Sequence, residues 1–112
     1  MKYIFFLLLS WTVHQQAFTQ QETTKIYLIR HAEKDTTIKQ DPPLTAQGIE
    51  RSEQLAKISK DVKVDQLYSS KALRARQTLM PLSISKGLSI EIYDTKDTAS
   101  MEKLFNLIRF KT

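Results

Sequence analysis

Short apolar segments that alternate with amphipathic stretches constrain the fold of this chain most strongly. The apolar segments predict strands, and the stretches between them carry apolar residues at helical spacing. We predict strands at residues 25–30, 62–68 and 88–93, and helices at residues 46–59, 72–85 and 100–110. This βαβαβα order predicts an α/β fold, a three-layer αβα sandwich whose sheet is mainly parallel. Pro81 lies inside the second predicted helix and is expected to kink it or to split it in two.

The N-terminus is predicted to lie outside this fold. Lys2 precedes an apolar run at residues 3–13, and a polar stretch with the small residues Ala17 and Thr19 follows. This layout predicts a secretory signal peptide at residues 1–19 and a mature domain at residues 20–112. The apolar run is too short to span a bilayer, which takes about 20 apolar residues. We therefore expect a periplasmic or secreted protein without a stable membrane anchor; a buried N-terminal strand is the alternative.

Composition excludes several kinds of site. The chain has no cysteine, so it has no disulfide, no thiolate nucleophile and no zinc–thiolate site. With two glycines, it contains neither of the glycine-rich nucleotide-binding motifs. The formal net charge is +5, but the basic residues are scattered without interleaved aromatic residues. We therefore expect this charge to attract phosphate esters rather than nucleic acid.

Arginines lie at or shortly after the ends of two of the predicted strands. Arg30 ends the first strand and His31 directly follows it, while Arg74 follows the second strand by a few residues. The carboxyl ends of parallel strands meet at one edge of a sheet, so these side chains are expected to meet there. Arginine binds phosphate bidentately, and an imidazole nitrogen can attack phosphorus. An Arg-His pair alone is more often part of a charged loop, and the second arginine is what favours an anion site.

Three segments of the chain together resemble the histidine phosphatase superfamily, which includes the cofactor-dependent phosphoglycerate mutases. They read KIYLIRHAEK, DPPLTAQG and DQLYSSKALRARQT, in that order. The resemblance implies a partial phosphoglycerate mutase-like fold, with His31 as the nucleophile that becomes phosphohistidine. It further implies that Arg30 and Arg74 hold a small phosphorylated substrate, with no metal ion and no cofactor. Arg76 competes with Arg74, but the family spacing favours Arg74 and makes Arg76 a surface charge.

Other polar residues near the predicted strand ends each allow two interpretations. Ser70 could donate a hydrogen bond to phosphate, although small polar residues at a strand end are usually turn formers. Glu33 could be the proton donor of the reaction or a solvated carboxylate of the loop. Asp94 directly follows the third predicted strand, at the end of the sheet where it could serve the site, although a turn or helix cap is the commoner role.

The chain also departs from the family pattern. Ala32 stands where the best-known family motif has glycine, and no segment with a second histidine follows the third strand. Residues 20–112 therefore resemble the N-terminal part of the family domain, and we expect a chain truncated before that motif. Without the strand that carries this histidine, the first two strands would pair directly or leave backbone groups unpaired.

The sequence thus predicts an exported phosphomonoester hydrolase that acts through His31. The alternatives are an inactive truncated remnant and a phosphate-binding or interaction module. No feature of the sequence specifies an oligomeric state.

Overall fold

The computed structural model of the protein describes residues 23–110. The predicted signal peptide therefore lies outside the described residues. The helices of the described part are α1 (Ala46–Ile58), α2 (Leu73–Lys86) and α3 (Thr98–Phe110), and the strands are β1 (Leu67–Ser70) and β2 (Ile90–Tyr93). No helix in this part of the chain is long and apolar enough to cross a membrane.

The two strands form a parallel pair. Leu67 lies opposite Ile90, and Ser70 lies opposite Tyr93. Helix α2 connects the strands, as a parallel connection requires. The predicted α/β class with a parallel sheet is thus confirmed. Strand β1 begins five residues later than predicted and includes Ser69 and Ser70, which we expected to follow it.

The prediction of a first strand at residues 25–30 is wrong. These residues belong to no helix or strand, and the apolar side chains of residues 26–29 are exposed, Leu28 by 94%. A strand exists only when its backbone pairs with a neighbour. Within residues 23–110, β1 and β2 pair with each other and not with this segment. The apolar pattern identified a segment suited to burial, but the described chain provides no strand to cover it.

Local capping explains where the helices begin and end. The Thr45 hydroxyl accepts a hydrogen bond from the Gly48 amide at 3.1 Å and so caps α1. At the start of α2, the carboxylate of Asp41 accepts the Leu73 amide at 2.8 Å. Gly87 ends α2 with a φ of 64°, a left-handed conformation that glycine adopts without strain. Helix α2 continues through Pro81, so the proline does not split it.

The core is small and lies around α2. This helix packs against α1 and against both strands, while α3 packs against β2. The buried apolar residues of the described part are Leu44, Leu67 and Leu82. Ser52, Ser69 and Thr78 are buried with them. These three buried polar residues carry hydroxyl groups, and each buried hydroxyl needs a hydrogen-bond partner.

Candidate active site around His31

His31 is held by its own backbone neighbour. Its Nδ1 lies 2.8 Å from the carbonyl oxygen of Ala32. A carbonyl oxygen can only accept a hydrogen bond, so Nδ1 carries the proton in the neutral ring. The lone pair is then on Nε2. A neutral imidazole in this tautomer can act as a nucleophile through Nε2.

Thr78 joins the His31 segment to α2. Its hydroxyl accepts a hydrogen bond from the Ala32 amide at 3.0 Å and donates one to the Arg74 carbonyl at 2.7 Å. Thr78 is buried, and 46 residues separate it from Ala32 in sequence. The Thr78 hydroxyl thus links the backbone next to His31 to the backbone of Arg74 on α2.

Arg74 and Arg30 differ in their surroundings. Arg74 is half-buried, and its Nε finds no hydrogen-bond partner among residues 23–110. Arg30 is exposed. Neither guanidinium pairs with a carboxylate of the described chain. A partly buried cation without a carboxylate partner leaves its donors available for an anionic ligand.

Arg76 is not the surface charge that the sequence predicted. It is half-buried, and its Nε is buried without a partner in the described part of the chain. Two residues apart on a helix, Arg74 and Arg76 point in different directions. Both are nevertheless covered, because α2 is packed by α1 on one side and by the sheet on another.

Glu33 lies close to the first turn of α1. Its carbonyl oxygen accepts hydrogen bonds from the Thr45 amide at 2.8 Å and from the Thr45 hydroxyl at 3.3 Å. Its Oε1 lies 2.9 Å from Nε of Arg51, while Oε2 is buried without a hydrogen-bond partner in residues 23–110. Glu33 is therefore a half-buried, ion-paired carboxylate and not a freely solvated one.

Gly48 makes this contact possible. A Cβ atom at Gly48 would lie 2.4 Å from the Glu33 carbonyl oxygen and 3.1 Å from Cβ of Leu44. Any residue other than glycine would push the Glu33 backbone away from α1. The sequence around Gly48 gives no sign of this role, because its partner Glu33 lies outside the helix.

Ser70 and Asp94 lie at the ends of the two strands. Ser70 is half-buried at the end of β1, where its carbonyl oxygen accepts the Ser69 hydroxyl at 2.9 Å. Asp94, just past β2, binds Nζ of Lys71 at 2.7 Å and the Lys96 amide at 3.0 Å. The hydrogen bond from Lys71, followed by that from Lys96, holds the pKa of Asp94 below its usual range. Asp94 thus serves as a turn cap and ion-pair partner.

The donor set of the site suits an anion better than a cation. Within residues 23–110, no three or more histidine and carboxylate side chains are grouped so that they could hold a metal ion. Arg30 directly precedes His31 in sequence, and the Thr78 hydroxyl links the Ala32 amide to the Arg74 carbonyl. Chemically, the arrangement combines one nitrogen nucleophile with cations that can bind phosphoryl oxygens.

Known structures resemble this fold. The crystal structure of a protein assigned as the phosphohistidine phosphatase SixA from Agrobacterium tumefaciens matches with a TM-score of 0.56 and 26% identity, over 75% of this chain and 59% of that protein. A protein given the same assignment from Nakamurella multipartitia matches with a TM-score of 0.47 and 26% identity, over 62% and 40% of the two chains. The chain therefore spans about three fifths of the length of the first structure. None of the curated proteins compared with the chain matches it.

The sequence itself matches a family. Residues 26–97 match the histidine phosphatase superfamily, branch 1. This range covers more than half of the chain and contains His31, Arg30 and Arg74. It also contains Thr78 and Gly48, the residues that hold the His31 segment. The chain belongs to the histidine phosphatase superfamily.

Proposed function

We propose that this protein is a phosphohydrolase that acts through a phosphohistidine intermediate on His31. The observation that carries the proposal is the hydrogen bond between Nδ1 of His31 and the Ala32 carbonyl, because it leaves Nε2 as the free lone pair. The Arg74 guanidinium, which has no carboxylate partner in the described chain, is the proposed cation for the phosphoryl oxygens. Family membership supports this assignment.

The reaction has two steps in this proposal. Nε2 of His31 attacks phosphorus, a P–N bond forms, the bond to the leaving oxygen breaks, and that oxygen takes a proton. Water then attacks phosphorus, the P–N bond breaks, inorganic phosphate leaves, and Nε2 regains its lone pair. Arg30 and Arg74 neutralise the phosphoryl oxygens in both steps. Ser70, at the end of β1, is a further candidate donor to these oxygens.

Glu33 is the proposed proton donor of the first step. Its Oε1 is occupied by Arg51, so Oε2 is the oxygen that can exchange a proton. In the second step, the carboxylate takes the proton from the attacking water. A general acid and base of this kind contributes about 10²–10⁴-fold to the rate.

The substrate is a small phosphorylated molecule or a phosphorylated side chain. The neighbour from Agrobacterium tumefaciens is assigned as a phosphohistidine phosphatase, which makes phosphohistidine a candidate substrate beside phosphomonoesters. We propose phosphomonoesters as the main class because the predicted signal peptide would take the protein out of the cytoplasm. Export can be tested by cell fractionation and N-terminal sequencing, for which we expect a mature N-terminus at Gln20.

The full chain offers a sharp test of the nucleophile, since its two histidines are His14 and His31. Turnover of para-nitrophenyl phosphate is expected to disappear in His31→Ala and to persist in His14→Ala. Brief incubation with radiolabelled substrate should leave an acid-labile label on the wild-type chain and none on His31→Ala. Turnover that survives in His31→Ala would contradict the proposal.

A phosphate-binding module without turnover is the second candidate function. It is favoured by the exposure of Arg30 and of the preceding apolar residues, because an open site excludes water poorly. This function predicts that inorganic phosphate binds and that Arg74→Gln abolishes binding, while no substrate is hydrolysed. Calorimetric titration with phosphate beside the turnover assay separates the two functions.

A further inference from the structure

We propose that the Thr78 hydroxyl is a positioning group that sets the orientation of the His31 imidazole relative to Arg74. The inference rests on the proposed function of His31. Its structural part can be measured without any turnover. Thr78 would touch neither the substrate nor the reacting atoms, so it is not a catalytic residue.

Three hydrogen bonds connect the His31 ring to the backbone of Arg74. Nδ1 of His31 donates to the Ala32 carbonyl at 2.8 Å, and the Ala32 amide donates to the Thr78 hydroxyl at 3.0 Å. The Thr78 hydroxyl then donates to the Arg74 carbonyl at 2.7 Å. Every bond lies within the normal range, and the donor of each is unambiguous once the carbonyl acceptors are considered. We call these three hydrogen bonds the relay. Ala32 lies at its centre, because its amide donates to Thr78 and its carbonyl accepts from His31.

The relay matters because no strand holds the His31 segment. Residues 23–33 belong to no helix or strand, so no backbone ladder fixes their position against the sheet. Hydrogen bonds hold this segment at two points: the Thr78 hydroxyl accepts the Ala32 amide, and the Thr45 amide and hydroxyl both donate to the Glu33 carbonyl. Of these two, Thr78 is the one that also reaches Arg74. Its hydroxyl therefore joins the backbone beside His31 to the backbone of Arg74.

Burial makes Thr78 a rigid link. Its exposed fraction is 5%, and its hydroxyl has one bond as donor and one as acceptor, so water does not compete for either. Threonine in a helix commonly donates to the carbonyl four residues earlier. Here that bond turns the oxygen lone pairs toward the Ala32 amide, which lies outside the helix. The branched Cβ of threonine also restricts the rotation of the side chain about χ1.

A matched pair of substitutions separates the hydroxyl from the methyl group. Thr78→Val keeps the shape and removes the hydroxyl, while Thr78→Ser keeps the hydroxyl and removes the methyl group. We expect Thr78→Val to lower kcat by roughly ten- to a hundredfold with a smaller change in KM, as expected for a misplaced nucleophile. Thr78→Ser should retain kcat within about threefold, because the hydroxyl contacts that set the geometry remain.

The same variants have a readout that is independent of activity. Nitrogen NMR of 15N-labelled protein reports which ring nitrogen of His31 carries the proton. We expect the Nδ1–H form to dominate in the wild type and in Thr78→Ser, and both tautomers to be present in Thr78→Val. Ser52→Ala is the control, because it also removes a buried hydroxyl that donates to a helix carbonyl, at 2.6 Å, but on α1. It should leave the His31 tautomer and kcat unchanged.

The outcomes distinguish failure of this inference from failure of the proposed function. A wild-type chain with no turnover would refute the hydrolase function, and the NMR comparison would still test the role of Thr78. Wild-type kcat and tautomer in Thr78→Val would overturn the inference, and so would an equal loss in Thr78→Ser. Should Thr78→Val not fold, hydrogen exchange of the Ala32 amide in the wild type replaces it. Slow exchange supports the relay, and exchange at the rate of an unstructured amide overturns it.

Discussion

The two carboxylate oxygens of Glu33 have different surroundings, and this difference is testable. Oε1 pairs with Arg51, while Oε2 is buried without a partner in the described part of the chain. If Oε2 protonates the leaving oxygen, Glu33→Gln should slow hydrolysis of phenyl phosphate by about 10²-fold or more. Para-nitrophenyl phosphate should be affected far less, because its leaving group needs no proton. The measurement is the ratio of kcat/KM for the two esters.

Glu50→Gln is the matched control for this prediction, since Glu50 is an exposed glutamate on α1. It should leave the ratio at the wild-type value. An equal loss for both esters in Glu33→Gln would assign Glu33 a structural role in place of proton transfer.

Gly48 is the second residue at which a single substitution tests the structure of the site. A Cβ at this position would lie 2.4 Å from the Glu33 carbonyl oxygen, so the chain must shift to accept alanine. Overpacking destabilises a fold by about 1–3 kcal/mol, whereas the higher helix propensity of alanine stabilises it by at most about 1 kcal/mol. We expect Gly48→Ala to lower the free energy of unfolding, measured in urea, and also to lower turnover, because Glu33 lies two residues from His31.

Gly87→Ala provides the contrast. A Cβ there meets no atom within 4 Å, but the φ of 64° disfavours alanine by about 1–2 kcal/mol. This variant should be less stable with turnover unchanged at a temperature where it is folded. Gly48→Ala with wild-type stability and turnover would show that the close approach is not maintained in solution.

Some residues of the candidate site could be predicted from the sequence, and others could not. His31, Arg30 and Arg74 follow from residue chemistry and motif spacing, because each chemical type stands at a predicted strand end. Thr78 and Gly48 escaped prediction, since their partners are distant in sequence. A threonine inside a helix signals a bond to the preceding turn, but it gives no sign of an amide 46 residues away.

Among the elements, the ends of β1 and β2 are joined by an ion pair whose contribution depends on pH. Lys71 follows β1, Asp94 follows β2, and their charged atoms lie 2.7 Å apart. The hydrogen bond with Lys71 lowers the pKa of Asp94, and the same bond raises the pKa of Lys71. A carboxyl whose pKa is lower in the folded state stabilises the fold above its unfolded pKa and loses this effect as the pH falls through the folded value.

Asp94→Asn should therefore melt at a lower temperature than the wild type at pH 7. The difference is expected to shrink as the pH falls below 3.8, the ordinary pKa of an aspartate. The raised pKa of Lys71 keeps the ion pair charged at alkaline pH, so its stabilising effect is lost only above pH 10.5. Asp61→Asn, at an exposed aspartate, is the control for the removal of one charge. A melting difference that stays constant from pH 7 to pH 2 would refute the ion-pair explanation.

Helices and strands differ in how far the sequence could predict them. The helices agree with prediction within about two residues at each end, because signals such as the Thr45 cap and Gly87 are local. Pro81 was expected to kink or split α2, and the helix continues through it without a split. The strand predicted at residues 25–30 failed, because a strand depends on a neighbour that its own sequence does not contain.

At the scale of the whole molecule, the unpaired apolar segment is the feature with the largest consequence. Ile26, Tyr27, Leu28 and Ile29 are between 48% and 94% exposed, in an extended stretch that directly precedes Arg30. Single exposed apolar residues are common, but a contiguous run of them promotes association. We therefore expect the isolated protein to bind a hydrophobic dye and to associate at high concentration.

Leu28→Lys tests this expectation most directly, because Leu28 is 94% exposed and has almost no packing to lose. The substitution should leave the melting temperature unchanged, reduce dye fluorescence, and shift sedimentation toward the monomer. Ile58→Lys is the matched control, since Ile58 is a 77% exposed apolar residue at the end of α1 and not part of the 26–29 run. It should change neither dye binding nor sedimentation. A large drop in the melting temperature of Leu28→Lys would instead mean that the segment is covered in solution, so that residues 26–29 belong to the core and His31 follows a buried strand after all.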